Sequence, residues 1–164
     1  HALGGEGVIV HAGGAVRSGC GLLYGGVSGA GKTTLSRLLE GPAGFDVISD
    51  DRVAVRRDSR AFRVFGTPWP GEGGQARNAS APLRALLFLE KGPGCSLLPL
   101  TPGAALRRLL ALVSIPWYDR PGLASPLDFC GELVERVPSF LLAFAPGPDV
   151  AGLLRGFCDG PGPA

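Results

Sequence analysis

Short apolar runs alternate with glycine- and proline-marked breaks along this chain, and the runs differ in period. Val8 to His11 is a brief apolar strand. Ala15 to Arg17 and Leu22 to Tyr24 are two more, joined across a Ser18-Gly19 turn. At Lys32 to Glu40 the period changes. Leu35, Leu38 and Leu39 recur at helical spacing, and Gly41-Pro42-Ala43-Gly44 stops the helix. Phe45 to Ser49 returns to a strand. Arg52 to Arg56 and Ala61 to Phe65 both alternate, with Arg57 to Arg60 between them, which is the pattern of a β-hairpin. Gly66 to Asn78 carries no period and reads as an irregular stretch.

Arg84 to Leu89 is an apolar run bounded by Pro82 and Gly92, the signature of a buried strand, and Ser96 to Leu100 is another strand candidate. Thr101-Pro102 reads as an N-cap followed by proline at the first helical position. Leu106, Leu109, Leu110 and Val113 then form an amphipathic stripe. Ser125-Pro126 repeats the signal, with Leu127, Cys130, Val134 and Val137 expected on one inward face. Ser139 to Phe144 is a strand. Asp149 is expected to cap a last helix that turns Val150, Leu153, Leu154 and Phe157 inward. The elements predict one α/β domain over residues 1–158 with a mixed sheet. Parallel neighbours should flank the strand before the glycine-rich segment, with the hairpin beyond. Residues 159–164 read as a tail.

Composition narrows the class. The chain has 164 residues, enough for one core without staples. No run approaches the roughly 18 apolar residues of a membrane span, and no secretory signal stands at the start. A cytoplasmic protein without a membrane partner is therefore expected, although a chain starting at His1 leaves targeting open. The net charge is +2, and the only close arginine pairs are Arg56-Arg57 and Arg107-Arg108. Without a basic stripe, a nucleic-acid partner is not expected. Cys20, Cys95, Cys130 and Cys158 lie far apart and form no zinc-type spacing. They read as partly buried thiols in a reducing compartment.

Chemistry concentrates at Gly26-Val27-Ser28-Gly29-Ala30-Gly31-Lys32-Thr33, which fits GxxxxGK[ST] without a gap. Glycines let the backbone curl so that successive N–H groups meet at one phosphate. Lys32 supplies charge to the outer phosphates, Thr33 offers a hydroxyl to Mg²⁺, and the helix start, with Thr34, adds its dipole. A chance match is expected on the order of one time in two hundred at this composition. The chain has only two lysines, Lys32 and Lys91, and one of them stands in this loop. ATP or a closely related nucleotide with Mg²⁺ is the implied ligand.

Ser49-Asp50-Asp51 ends the strand that follows the first helix. That strand should lie beside the loop strand, which puts its C-terminal end near the phosphates. One carboxylate can then face the metal while the other takes a proton from an acceptor hydroxyl. The other reading is an aspartate that caps a strand-to-turn corner. Both carboxylates can act only if the strand has ended, because neighbours on a strand face opposite ways.

HxxG…GxSGxGK[ST]…DD followed by a hairpin resembles the catalytic domain of the HPr serine kinase/phosphorylase family, which shares its core with phosphoenolpyruvate carboxykinase. The elements here are His11, Gly26 to Thr33, and Ser49-Asp50-Asp51-Arg52-Val53. Val64 to Glu72 looks like a divergent branch of HPr-kinase-like proteins. The motif-bearing part covers about the first half of the chain. The resemblance implies an ATP- and Mg²⁺-dependent kinase that phosphorylates a serine-type hydroxyl on a protein, a peptide or a free amino acid. It implies Asp51 as the proton acceptor, Lys32 on the transferring phosphoryl group, and His11 beside Asp51, tuning it. Thr33, Asp50 and Glu72 become the metal side. Homo-oligomers are implied as well, since the family forms rings.

Taken alone, His11 reads as an ordinary strand-end histidine, and Glu72 reads either as a metal carboxylate or as a solvated loop residue. Residues 66–74 read either as a hinged lid carrying Trp69 or as a loop with Trp69 packed on the hairpin. Trp117 and Tyr118 read as core or groove residues. The family's glycine- and arginine-rich acceptor-docking signature does not follow the hairpin. That departure opens an alternative: a non-catalytic nucleotide-binding module that partners a biosynthetic system.

Overall fold

Among the described residues, nine strands form one mixed sheet around its longest member. The computed structural model describes residues 7–58, 61–114 and 124–161. The strands are β1 Gly7–His11, β2 Gly13–Arg17, β3 Cys20–Gly25, β4 Asp46–Ser49, β5 Arg52–Arg57, β6 Phe62–Gly66, β7 Ser80–Lys91, β8 Cys95–Pro99 and β9 Ser139–Phe144. The helices are α1 Lys32–Leu39, α2 Pro102–Leu110, α3 Ala124–Arg136 and α4 Pro148–Asp159. Strand order runs β1-β5-β6-β7-β3-β2-β4, and β9, which also pairs with β8, joins β7. The mixed α/β architecture and the β5–β6 hairpin match the sequence reading.

β7 joins the two halves. Its first residues pair antiparallel with β6, and its remainder runs parallel to β3 and β9. One side of the β3–β7 region packs Leu22, Tyr24, Ala85 and Leu87 with Leu35 and Leu39 of α1 and Leu154 of α4. The other side packs Leu23, Leu86 and Phe88 with Val53 and Val64 of the hairpin half, Leu109 of α2 and Leu133 of α3. Covered on both faces, β3 and β7 read as unbroken apolar runs rather than as alternating ones.

Several local expectations change. β4 does not lie beside β3. β2 stands between them and pairs antiparallel with both. The loop strand therefore has one parallel neighbour, β7, and one antiparallel neighbour, β2. Two antiparallel steps still point β4 the same way as β3, so the aspartates after it arrive at the loop end of the sheet. β7 also starts earlier than its apolar run and passes through Pro82. That proline belongs to the stretch paired with β6, before the ladder with β3 begins at Leu83. A missing N–H costs least where a strand lacks a full set of neighbours.

At the helices, Thr101 Oγ1 accepts from the Ala104 N–H at 3.3 Å, the cap expected from Thr101-Pro102. α3 begins at Ala124, which puts Ser125 inside the helix and not at its cap. Leu127 is exposed, and Phe129, Cys130, Leu133, Val134 and Val137 form the buried face. Asp149 is not the cap of α4. Gly147 holds that position with Pro148 following, and Asp149 sits in the first turn, where a carboxylate complements the helix dipole. Trp117 and Tyr118 lie outside the described residues.

The cysteines are not four thiols. Cys20 at the start of β3 and Cys158 near the end of α4 form a disulfide with Cα atoms 5.7 Å apart, across 138 residues of sequence. Folding brings together two positions that sequence spacing could not relate. Arg17 supports the same junction: its Nε and Nη2 donate to the two Asp159 oxygens at 3.0 and 2.9 Å. Cys95 and Cys130 are free, and burial pushes the Cys130 thiol up to about 11. No helix among the described residues is long and apolar enough to cross a membrane.

Candidate phosphate-loop site

β3 ends at Gly25, and the chain turns through residues 26–31 into α1. Two glycines make this turn possible. Gly29 has φ +78° and Gly31 φ +106°, both in the left-handed region that side chains disfavour. A Cβ on Gly26 would fall 2.7 Å from Ala30 Cβ, so close packing requires a third glycine. The Ala30 N–H donates to Val27 O at 3.0 Å, and the Leu35 N–H donates to Gly31 O at 2.8 Å, which starts the helix. Val27 stands 78% exposed at the tip. Lys32 folds back, with Nζ donating to Gly26 O at 3.2 Å. No acidic residue occupies the first turn of α1, so nothing in that turn neutralises its positive dipole end.

A buried hydrogen bond fixes the helix on its strand: Tyr24 Oη and Ser36 Oγ are 2.7 Å apart. Burial raises the Tyr24 phenol above its ordinary range, so this group stays neutral at working pH.

The aspartate corner is built differently. β4 ends at Ser49 and β5 begins at Arg52, which leaves Asp50 and Asp51 on the bend. Ser49 Oγ donates to Arg52 O at 2.7 Å and accepts from the Arg52 N–H at 3.2 Å. Thr67 Oγ1 donates to the same carbonyl at 2.6 Å. With the strand ended, the two carboxylates need not oppose each other. Asp50 turns inward and is 4% exposed. Its oxygens accept from the Gly71 N–H at 2.9 Å and the Gly73 N–H at 2.5 Å. Asp51 turns toward the cleft, with His11 Nε2 3.0 Å from its Oδ1 and Arg52 Nε 3.5 Å from its Oδ2.

His11 is the last residue of β1 and pairs across the ladder with Arg52. Its N–H donates to Leu112 O at 2.8 Å, so the segment after α2 also anchors it. Three remote parts of the chain thus fix the His11–Asp51 pair.

A cleft of about 370 Å³ gathers these groups. His11, Asp50, Asp51 and Glu72 line it together with Ser28, Gly29 and residues 31–34. Gly26, Val27 and Ala30 face away from it. They border a larger cavity of about 590 Å³, where Phe88, Leu112 and Leu141 form apolar walls and Arg107 and Arg108 a basic rim. A third cavity of about 390 Å³ lies between the loop, Lys91-Gly92 and residues 144–146. The loop therefore has room on several flanks.

Side-chain donor chemistry in the cleft is all oxygen apart from His11 and Lys32: the Ser28, Thr33 and Thr34 hydroxyls and the Asp50, Asp51 and Glu72 carboxylates. Among the described residues, no three His, Cys, Asp or Glu side chains gather into a cage of their own. Such a set fits Mg²⁺, which takes one or two carboxylates and completes its shell with phosphate oxygens and water.

Sequence reasoning missed Arg52 as a partner of Asp51 and the glycine N–H groups that hold Asp50. Arg52 was signalled only by adjacency. Gly71 and Gly73 flank Glu72 in sequence and read there as hinges. Trp69, just before this turn, is 49% exposed.

No family model matches the chain, and no curated protein matches it. Among solved structures it is similar to the HPr(Ser) kinase/phosphatase from Coxiella burnetii, at 15% sequence identity and a TM-score of 0.50. The match covers 90% of this chain and 86% of that one. At this identity the likeness carries the fold alone, a mixed α/β architecture shared with that structure.

Proposed function

We propose that this chain is an ATP- and Mg²⁺-dependent kinase that transfers the γ-phosphate to a serine-type hydroxyl on a protein, a peptide or a free amino acid. The observation that carries the reading is the His11–Asp51 pair, 3.0 Å apart, in one cleft with Lys32 and Thr33. The N–H groups of the glycine loop and the α1 dipole hold the phosphates. Lys32 balances charge on the transferring group. The acceptor oxygen forms a bond to the γ-phosphorus as the bond to the bridging oxygen breaks, and the hydroxyl proton passes to Asp51. His11 and Arg52 together orient the Asp51 carboxylate, His11 at Oδ1 and Arg52 more distantly at Oδ2. Thr33 and Glu72 would hold Mg²⁺, whose chemistry is to offset phosphate charge. The cavities beyond the loop receive the rest of the nucleotide.

ADP formation from Mg·ATP, with wild type and Asp51→Asn in parallel, tests this against free serine, an HPr protein and serine peptides. Acceptor-dependent turnover should fall about a thousand-fold in the variant, within the range of general-base losses. ATP affinity should change less than about threefold. Full transfer by Asp51→Asn would remove Asp51 as the base. The second reading, a non-catalytic nucleotide-binding module, draws on the engagement of both Asp51 oxygens, by His11 and Arg52. It expects tight nucleotide binding without turnover on any acceptor.

A further inference from the structure

Asp50 is the only charged side chain among the described residues to reach full burial. A carboxylate removed from water is strongly disfavoured unless hydrogen bonds replace its hydration. Here the replacement comes from two backbone N–H groups, those of Gly71 and Gly73. They belong to the residues immediately before and after Glu72. The Gly74 N–H donates to Gly71 O at 3.1 Å, which closes residues 71–74 into a β-turn with Glu72 at its first central position. The carboxylate therefore grips a single turn on both sides of one acidic residue.

The contact surface shows that this grip is specific to glycine. A Cβ on Gly71 would lie 2.7 Å from Asp51 Cβ, and one on Gly73 would overlap Asp50 Oδ2. Either side chain would push the turn off the aspartate corner. Glu72 itself lines the same cleft as Lys32 and Thr33.

We propose that Asp50 is a positioning residue: it holds the turn at residues 71–74 by its backbone, so that Glu72 presents its carboxylate to the phosphate loop. The metal-facing carboxylate is then Glu72, and Asp50 acts through it. The grip itself is independent of any ligand. The role given to Glu72 rests on the kinase reading above.

Two measurements on the full chain separate these parts. The first is amide hydrogen exchange at Gly71 and Gly73, in wild type and Asp50→Asn, without nucleotide. Both amides should be protected in wild type. At least one should lose its protection in the variant, because an asparagine amide offers one acceptor oxygen instead of two. Unprotected amides in wild type would overturn the grip.

The second is the affinity for ATP with Mg²⁺ and with EDTA, in wild type, Asp50→Asn, Glu72→Gln and the double variant. Loss of Glu72, the metal-facing carboxylate, should reduce the Mg²⁺ enhancement about tenfold, a size that loss of a group supporting a ligand also reaches at metal sites. Asp50→Asn should match that loss with EDTA affinity unchanged, and the double variant should be no worse than either single one. Where Asp50→Asn fails to fold, Gly73→Ala displaces the turn while Asp50 stays intact, and the same loss is expected. Additive losses would make Asp50 a ligand in its own right and overturn the proposal. An undiminished enhancement in Asp50→Asn would do so too. No ATP affinity in wild type under either condition would sink the kinase reading and the role of Glu72 with it. Exchange alone would then decide the grip.

Discussion

The phosphate loop and the aspartate corner face each other across one cleft, yet they are made in opposite ways. Residues 26–33 are contiguous, and their shape follows from local rules: two glycines at positive φ, a lysine folded onto Gly26 O, and a helix that starts at once. The corner draws on β1, the β4–β5 bend and the turn at residues 71–74, and side chains hold it from outside. The first is a motif and the second an assembly. Local changes should therefore damage the loop in proportion to local strain. The corner should fail whenever any one of its distant supports moves.

The largest effect, on global stability, is expected at the remote tie that holds the strand before the loop. β3 carries the loop, and its first residue is bonded to Cys158. In the chain-entropy view, a bridge across a loop of this length contributes about 5 kcal/mol. Reduction should lower the urea midpoint accordingly, and thiol titration under denaturing conditions should rise from two groups to four. ATP affinity well below the new midpoint should stay the same. A large fall in affinity on reduction would mean that the loop, too, is an assembly.

Within the loop, Gly31→Ala forces φ +106° on a side chain and brings its Cβ to 3.1 Å from Phe144 Cζ. A cost of about 1–3 kcal/mol is expected by denaturation, together with weaker nucleotide binding. Gly29→Ala meets open space at φ +78° and should cost about 1 kcal/mol. Equal costs at the two sites would show that strain alone, without packing, decides.

Ser49→Ala sharpens the other side. It leaves the Arg52 N–H without its partner and removes one of the two donors to Arg52 O, with an expected cost of about 1–2 kcal/mol. If the corner is an assembly, phosphoryl transfer should drop while ATP affinity stays, as measured by turnover and titration in parallel.

The smallest effect lies at the α4 junction. Hydrogen bonding to Arg17 holds the Asp159 carboxyl below its ordinary value of 3.8. The folded state therefore takes up that proton less readily than the unfolded one. Its contribution is complete above pH 3.8 and declines as pH falls through the lower folded value. Asp159→Asn should remove this slope from acid unfolding curves, with a small loss of stability at neutral pH that disappears in strong acid.

This contrast also explains what the sequence made legible. The loop, α1, the hairpin and the Thr101 cap each follow from residues close together, and each was readable. Placing β4 beside β3 failed because register across a sheet is a property of the whole topology, and β2 intervened. Pro82 looked like a boundary because its tolerance depends on which strand lies next to it. Leu127 matched a helical period but sits at the solvent edge of its stripe. Asp149 fell at the second helical position, where an acidic residue is also favourable. His11, Asp51 and Glu72 could be named as candidates from the resemblance. The bonds that tie Asp50 to Gly71 and Gly73 could not, since nothing local relates those positions.

The Cys20–Cys158 bridge also changes how the molecule would bear tension. Pulled by its two ends, the chain transmits force through residues up to 20, across the sulfur atoms, and out after 158. The span between, with a contour on the order of 450 Å, is bypassed and cannot lengthen. Among the described residues, β1, β2 and the final residue of α4, Asp159, lie on the strained path. β1 ends in His11. A tug on the chain would therefore peel the histidine from Asp51 while the phosphate loop, sheltered inside the covalent ring, kept its shape.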